Sequence, residues 1–285
     1  MVTGSAVGGS ADGREEPRSE VRRALASLLV DPASTAIVSD FDGTLSPIVA
    51  DPATARPLPG ARRVLADLAD RFGVVAVVSG RPGAFLVEHL GSGPDHRGVT
   101  LVGLYGLEWS DSSGAITVEP GVEEWRSAIA GATFSLRSHA PPGVTIESKG
   151  LAVTVHWRQA PEAEQWAMAA VADEVGRTGL VAHPGRKSME LRPPLEVDKG
   201  SVVRRLVGDC TAACYLGDDL GDLPAFEAVA SLHDDRLLRG VTVAVLDDES
   251  APAVAEAADV SVEGPGEALS ALAWLAEQAP RLDHH

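Results

Sequence analysis

Short apolar stretches alternate with amphipathic stretches over the first and last thirds of the chain. Five stretches of strand length are almost wholly apolar, at residues 36–39, 74–79, 100–104, 212–216 and 241–245. Six others have apolar residues at helical spacing, at residues 19–29, 59–71, 81–90, 199–207, 223–230 and 267–278. Strands without polar alternation are typical of a parallel sheet that is covered by helices on both faces.

The pattern changes in the middle of the chain. A strand at residues 115–118 and a helix at 122–139 come first, and this helix is expected to place Trp125, Ile129 and Phe134 roughly on one face. A hairpin that turns at Gly150, a helix and a second hairpin follow, at residues 144–157, 161–178 and 180–192. In strand 151–157 of the first hairpin, apolar and polar residues alternate, which implies that one face of the strand is exposed to solvent. We expect the second hairpin to turn at Pro184–Gly185. Such pairs indicate an antiparallel α+β unit.

These patterns together predict an α/β fold with a doubly wound, mostly parallel, Rossmann-like core and an inserted α+β cap. The expected divisions are a disordered tail (1–19), the first part of the core (20–112), the cap (113–193) and the rest of the core (194–285). The tail is rich in Gly, Ser, Glu and Arg, and we give no role to His284 and His285 at the other end.

The net charge of −17 changes the range of expected partners. A protein this acidic is not attracted to nucleic acid or to an anionic membrane, so an anion site must be locally positive. No apolar run reaches about 18 residues and no signal peptide is visible. Cys210 and Cys214 fit buried thiols in a reducing compartment, and we therefore expect a cytoplasmic protein.

The first candidate for chemistry is the pair Asp40 and Asp42, within Asp-Phe-Asp-Gly-Thr directly after an apolar strand. Carboxylates two residues apart beyond a strand end project to the same side, and ligands of open α/β sheets bind at that edge. Because the two like charges repel, they need a cation, and Mg²⁺ accepts both carboxylates and phosphate oxygens. The alternative interpretation is a solvated Asx-turn or a helix cap.

Ser79, Gly80 and Arg81 follow the next apolar strand. A hydroxyl group and free backbone amides ahead of a helix can bind an anion, although an N-cap serine would produce the same pattern.

Two further motifs come later in the chain. Lys199 opens a helix, where its charge opposes the helix dipole, so it is either an exposed lysine or one aimed at phosphate. Asp218, Asp219 and Asp222 follow another apolar strand and form either an acidic site or a loop with a capping aspartate.

Taken in this order, the motifs resemble those of the haloacid dehalogenase (HAD) superfamily of phosphohydrolases. The matching residues are Asp40 and Asp42, Ser79, Lys199 and Asp218, and the resemblance extends from about residue 20 onward. The resemblance implies that Ser79 and Lys199 bind the phosphate oxygens.

It also implies a mechanism. Asp40 would attack phosphorus to form an aspartyl-phosphate, and Asp42 would act first as general acid and then as general base. Mg²⁺ would be held by Asp40, the backbone carbonyl of Asp42 and Asp218, with Asp219 or Asp222 supporting the metal site.

Finer features resemble trehalose-6-phosphate phosphatases and lie at residues 40–48, 103–108, 147–149 and 185–193. The resemblance implies a small-molecule sugar phosphate as substrate and no obligate protein partner, with Glu147, Lys149, Arg186 and Glu190 binding the sugar and Gly80 and Arg81 also at the substrate. In the alternative interpretation, Glu147 with Lys149 and Glu190 with Arg192 are charge pairs on a solvent-exposed face of the sheet.

One departure is that Gly-Asp-Leu-Pro stands at residues 221–224, where this family usually has Thr-Asp-Glu-Asp. An acidic position is lost, which leaves the supporting residues of the metal in doubt. The alternative functions are a phosphatase of sucrose-phosphate or glycosyl-3-phosphoglycerate, a phosphomutase, and a non-catalytic sugar-phosphate sensor.

Overall fold

The computed structural model describes residues 16–49, 51–91, 98–111, 113–235 and 237–282. The expected disordered tail lies outside the described residues up to residue 15, as do His284 and His285.

Among the described residues, the larger of two sheets has eight strands, which are β1 (Thr35–Ser39), β2 (Val74–Val78), β3 (Val99–Gly103), β4 (Glu108–Ser110), β5 (Ile116–Val118), β10 (Ala212–Gly217), β11 (Arg239–Leu246) and β12 (Val260–Glu263). Their order across the sheet is β12-β11-β10-β1-β2-β3-β4-β5. The pairs from β12 to β3 are parallel, and β4 and β5 join one edge in antiparallel pairing. The predicted mostly parallel α/β core is therefore confirmed.

Helices cover both faces of this sheet. They are α1 (Ser19–Ala26), α2 (Ala61–Ala69), α3 (Gly83–Leu90), α6 (Lys199–Val207), α7 (Leu223–Asp234), α8 (Pro252–Glu256) and α9 (Gly264–Gln278). Ile37 of β1 packs with the helices α1, α2, α3 and α9, whereas its neighbours Ala36 and Val38 pack with α6, α7 and α8. Because successive side chains of a strand point to opposite faces, each strand contributes to two hydrophobic cores.

The smaller sheet consists of four antiparallel strands in the order β6-β7-β9-β8. These strands are β6 (Thr145–Ser148), β7 (Val153–His156), β8 (Val181–Gly185) and β9 (Ser188–Arg192). The helices α4 (Arg126–His139) and α5 (Glu164–Thr178) cover one face of the sheet, over a core that includes Ile129 and Leu191. The polar side chains of the other face line a cavity rather than bulk solvent.

Two details of the predicted insert are wrong. Phe134 of α4 does not share the inward face with Ile129, because its side chain is 76% exposed whereas Ile129 is 1% exposed. The second hairpin turns at Arg186–Lys187 rather than at Pro184–Gly185, since Gly185 pairs with Ser188 across the two strands. Lys187, the second residue of this turn, has a positive φ of 52°.

Other elements carry little periodic signal in the sequence, and β4, α8 and β12 were not predicted. β5 lies within the predicted insert but pairs with β4 in the larger sheet. The division at residues 113 and 193 stays a prediction. Among the described residues, no helix combines the length and the apolar character needed to cross a membrane.

Candidate active site

Three neighbouring strands of the larger sheet end in polar residues at the same edge. Asp40 follows β1, Ser79 follows β2 and Asp218 follows β10, and these strands lie side by side in the order β10-β1-β2. The carboxyl ends of parallel strands in an open α/β sheet form the usual ligand site, so side chains far apart in the sequence meet here.

Lys199, the first residue of α6, lies between two carboxylates. Its Nζ is 2.8 Å from Asp40 Oδ1 and 2.6 Å from Asp222 Oδ1, and the residue is only 3% exposed. Burial would lower the pKa of Lys199, but the charges of Asp222 and Asp40 outweigh it and raise the pKa well above its usual value. The lysine is therefore a fixed positive charge beside Asp40, and the exposed lysine of the alternative interpretation is excluded.

Asp222 is fully occupied by donors from the protein. Its Oδ1 accepts hydrogen bonds from Lys199 and, at 2.6 Å, from the Tyr215 hydroxyl group, and its Oδ2 accepts them from the backbone amides of Asp218 and Asp219 at 3.0 and 3.1 Å. Asp222 is completely buried. It therefore holds the acidic loop and Lys199 in place, and no lone pair is aimed freely at a metal.

Lys199 offsets only part of the negative charge of the acidic cluster formed by Asp40, Asp218, Asp219 and Asp222. One carboxylate oxygen from each of Asp40, Asp218 and Asp222 lies within 4.8 Å of the other two, and those of Asp40 and Asp218 are the ones that remain to bind a metal. Burial raises the pKa of Asp40 and of Asp218 well above the usual value, and the neighbouring aspartates add to it, while Lys199 acts against it. A bound cation would stabilise the charged form of both aspartates. The carboxylate oxygens therefore fit a hard divalent metal.

Gly43 brings the backbone beside this cluster. Its φ of +79° is in the left-handed region, and a Cβ atom at this position would lie 2.1 Å from Asp218 Oδ2. The Cα atom of Gly43 thus lies directly against the Asp218 carboxylate, which brings the loop that contains Asp42 to the candidate metal site. Asp219 is half-buried beside them, and its Oδ1 accepts a hydrogen bond from the Gly221 amide at 2.8 Å.

Asp42 is paired with Arg81 at the rim of this site. The guanidinium donates to both carboxylate oxygens of Asp42, each at 2.7 Å, and to the carbonyl oxygen of Pro52 at 2.6 Å. Two parallel bonds of this kind fix both the position and the plane of the carboxylate. The guanidinium of Arg81 thus contacts Asp42 and Pro52, and the predicted contact of Arg81 with substrate stays a prediction.

Ser79 and Gly80 form the turn between β2 and α3. The Ser79 hydroxyl accepts a hydrogen bond from the Arg81 amide at 3.2 Å and donates none within the described part of the chain, so its hydrogen is available to a ligand in the cavity. Gly80 lies against the ring of Tyr105, since a Cβ atom on Gly80 would be 2.4 Å from the Tyr105 hydroxyl oxygen.

A second polar cluster lies on the inner face of the smaller sheet, around Glu190. Lys149 Nζ and Thr154 Oγ1 donate to its Oε2 at 2.7 and 3.0 Å, and Arg192 Nε donates to its Oε1 at 2.6 Å. Burial would raise the pKa of Glu190, but Lys149 and Arg192 outweigh burial and lower it to about 2. The cluster is thus an ionised, buried network rather than a set of charge pairs in solvent.

The other two predicted sugar-binding residues lie beside this network. Glu147 Oε2 is 2.9 Å from His156 Nε2, within hydrogen-bonding distance. Arg186, in the turn between β8 and β9, is 3.9 Å from Asp218 and 3.6 Å from Asp247. It therefore extends from the smaller sheet to the acidic cluster of the larger one.

One cavity of about 550 Å³ connects the two clusters. All the predicted site residues except Asp222 line it, namely Asp40, Asp42, Ser79, Gly80, Arg81, Glu147, Lys149, Arg186, Glu190, Lys199, Asp218 and Asp219. The sequence interpretation missed four residues that shape the site, which are Tyr105, Thr154, Arg192 and Tyr215. Tyr105 and Arg192 lie inside quoted motifs, at residues 103–108 and 185–193, so a signal was available for them.

Comparison with known proteins agrees with this architecture. The family model described as trehalose-phosphatase matches residues 38–264. The trehalose-phosphate phosphatases of Mycolicibacterium paratuberculosis and Mycobacterium marinum are each 34% identical, over 256 and 264 residues that cover 86% and 87% of the chain. The chain spans 63% of the length of these curated relatives.

Solved structures show the same fold. The C-terminal domain of Candida albicans trehalose-6-phosphate phosphatase aligns with a TM-score of 0.72 at 23% identity, over 93% of this chain and 99% of that one. A trehalose-6-phosphate phosphatase related protein aligns with a TM-score of 0.70 at 25% identity, over 85% of this chain and 97% of that one.

Proposed function

The chain belongs to the trehalose-phosphatase family, and on this premise we propose that it hydrolyses trehalose 6-phosphate to trehalose and inorganic phosphate. The observation that carries the proposal is the single cavity, which has Asp40 and Lys199 at one end and Lys149 and Glu190 at the other. A substrate with a phosphate at one end and sugar hydroxyls at the other matches this distribution of charge.

Asp40 is the nucleophile in this proposal. Its Oδ1 accepts from Lys199, whereas its Oδ2 has no hydrogen-bond partner among the described residues. The free oxygen attacks phosphorus, the bond from phosphorus to the sugar oxygen breaks, and an aspartyl-phosphate forms. Lys199 and the Ser79 hydroxyl donate to the phosphate oxygens and stabilise the charge that develops on them.

Asp42 is the acid and base. It gives a proton to the departing sugar oxygen, then takes a proton from the water that attacks phosphorus and regenerates the Asp40 carboxylate. The two bonds from Arg81 fix the position and the plane of the Asp42 carboxylate beside the reacting atoms. Arg81 therefore acts as a positioning residue for the acid and base.

We assign Mg²⁺ to the carboxylates of Asp40 and Asp218 and the backbone carbonyl of Asp42, with Asp219 beside them and Asp222 as a support. When bound, the ion would neutralise phosphate oxygens and the like charges of the aspartates.

In the same proposal the residues of the smaller sheet bind the sugar. Glu147 and Glu190 accept hydrogen bonds from sugar hydroxyls, and Lys149 and Arg186 donate them. Because Lys149 and Glu190 are already oriented by each other, the site is ordered before the sugar arrives. The cytoplasmic location and the division into core and cap at residues 113 and 193 stay predictions.

Phosphate release from a panel of esters tests the proposal. Trehalose 6-phosphate, sucrose 6-phosphate, glucose 6-phosphate and a glycosyl-3-phosphoglycerate are compared at equal concentration with Mg²⁺, and each reaction is repeated with excess chelator. We expect trehalose 6-phosphate to be the preferred ester and the chelator to abolish its hydrolysis. Equal or faster hydrolysis of another ester would contradict the substrate, and an isomerised sugar phosphate without free phosphate would indicate a mutase.

A further inference from the structure

Tyr105 occupies a backbone conformation that few residues adopt. It follows β3 with a φ of 60°, and Leu104 before it has a φ of 49°. A left-handed backbone position of this kind persists only where the surrounding contacts enforce it. Here the Leu104 amide donates to the Arg81 carbonyl and the Tyr105 amide donates to the Ser79 carbonyl, both at 2.9 Å. The turn at residues 79–81, called the phosphate-site turn below, thus holds Tyr105 in place.

The Tyr105 ring connects the two ends of the cavity. Its tip lies against Gly80 of the phosphate-site turn, and the guanidinium carbon of Arg192 lies 3.3 Å from its ring centroid. Arg192 in turn donates to Glu190 at 2.6 Å. An arginine stacked on an aromatic ring is an attractive contact, so the ring supports the sugar-binding network from the core side.

The Tyr105 hydroxyl group is not used in hydrogen bonding within the described part of the chain. In the part of the chain that the structure describes, no protein group forms a hydrogen bond with it, although the residue lines the cavity. Burial, with a further contribution from Glu190, raises the pKa of Tyr105 to about 12. The hydroxyl therefore keeps its proton at neutral pH and is available as a donor.

We infer that Tyr105 is a specificity-determining residue whose hydroxyl donates a hydrogen bond to the phosphorylated sugar unit while its ring holds Arg192. This inference rests on the proposed function, because it assigns a role within the same site. The sugar is the expected acceptor since Ser79 and Lys199 already serve the phosphate, and the Tyr105 ring contacts Arg192 of the sugar-binding network at 3.3 Å, whereas Lys199 Nζ is 5.9 Å from the ring centroid.

The substitution Tyr105→Phe tests the inference because it removes only the hydroxyl group and keeps the ring under Arg192. The measured quantity is the ratio of kcat/KM for trehalose 6-phosphate to kcat/KM for p-nitrophenyl phosphate, which lacks a sugar. Loss of one hydrogen bond predicts a three- to tenfold fall in this ratio, on the order of the usual contribution of such a bond.

Tyr215→Phe is the matched control, since the chain has only two tyrosines and the same atom is removed. The Tyr215 hydroxyl acts through Asp222 on Lys199, so its loss should lower kcat/KM for both esters by similar factors and leave the ratio unchanged.

An unchanged ratio in Tyr105→Phe, or equal losses with both esters, would overturn the assignment of Tyr105. Failure of the proposed function is a separate result, seen in the wild-type protein as preference for another ester. The same ratio is then measured with that sugar phosphate, and a three- to tenfold fall would still support a sugar contact by Tyr105.

Discussion

Glu190→Gln perturbs the buried network of the smaller sheet with almost no change of shape. Glu190 is 6% exposed and accepts three hydrogen bonds, two of them from the cations Lys149 and Arg192. The amide removes the charge that balances those cations and presents them with an NH₂ group. Removal of one partner from a buried ion pair typically costs about 3–5 kcal/mol, because the remaining charge is left without compensation.

The pKa of Glu190 gives an independent magnitude. A fall from 4.5 to about 2 on folding corresponds to roughly 3 kcal/mol of stabilisation at pH 7. Because the folded-state pKa is the lower one, this contribution is fully present above pH 4.5 and is lost as the pH falls through about 2. At pH 3.5 about 2 kcal/mol should remain.

Urea unfolding at pH 7 and pH 3.5 measures both quantities. Tryptophan fluorescence reports on the insert, which contains Trp125, Trp157 and Trp166 among the five tryptophans of the chain. Glu162→Gln is the matched control, because Glu162 is exposed on the same insert and should change stability by less than about 0.5 kcal/mol. The double variant Lys149→Met/Glu190→Gln should lose less than the sum of its single variants.

A loss below about 1 kcal/mol for Glu190→Gln at pH 7 would refute the interpretation of this network as a strongly coupled ionic cluster. A loss that stays the same or grows between pH 7 and pH 3.5 would refute the sign of the pKa shift.

Two further substitutions test the phosphate end of the cavity. Arg81→Lys removes the two parallel bonds to Asp42, so we expect kcat for the preferred ester to fall about 10-fold or more while KM changes little, and a fall in kcat of less than about twofold would contradict the positioning role. Gly43→Ala would place a Cβ atom 2.1 Å from Asp218 Oδ2 at a φ of +79°, so we expect loss of activity in a chain whose circular dichroism remains native. Full activity in Gly43→Ala would show that the loop can move away from Asp218 without consequence.

The convergence of Asp40, Ser79 and Asp218 could be predicted from the sequence because each follows an apolar strand of a parallel sheet. Strand length, apolar composition and position at the strand end are all local properties, and the rule that ligands bind at the carboxyl edge supplies the rest. Lys199 was predicted from its place at a helix start, and α6 begins at that residue.

Other features depend on tertiary contacts that leave no local pattern. Phe134 was wrongly placed on the face of Ile129, because a separation of five residues turns a helix by about 140° and directs the side chain away from the packed face. The position of the second hairpin turn depends on the pairing of Gly185 with Ser188, and Pro-Gly is only a general turn signal. The sequence around Tyr215 predicts only a buried strand residue. The contact of its hydroxyl group with Asp222 depends on the folded structure.

The most direct test of the covalent mechanism compares Asp40→Asn with the wild-type protein. The measured quantity is the initial rate of phosphate release from trehalose 6-phosphate with saturating Mg²⁺. The amide keeps the size of the side chain and its position beside Lys199, and native circular dichroism serves as the check on folding. If Asp40 is the nucleophile, the rate should fall at least about 10³-fold. A folded Asp40→Asn protein that retains a tenth or more of the wild-type rate would contradict the covalent mechanism.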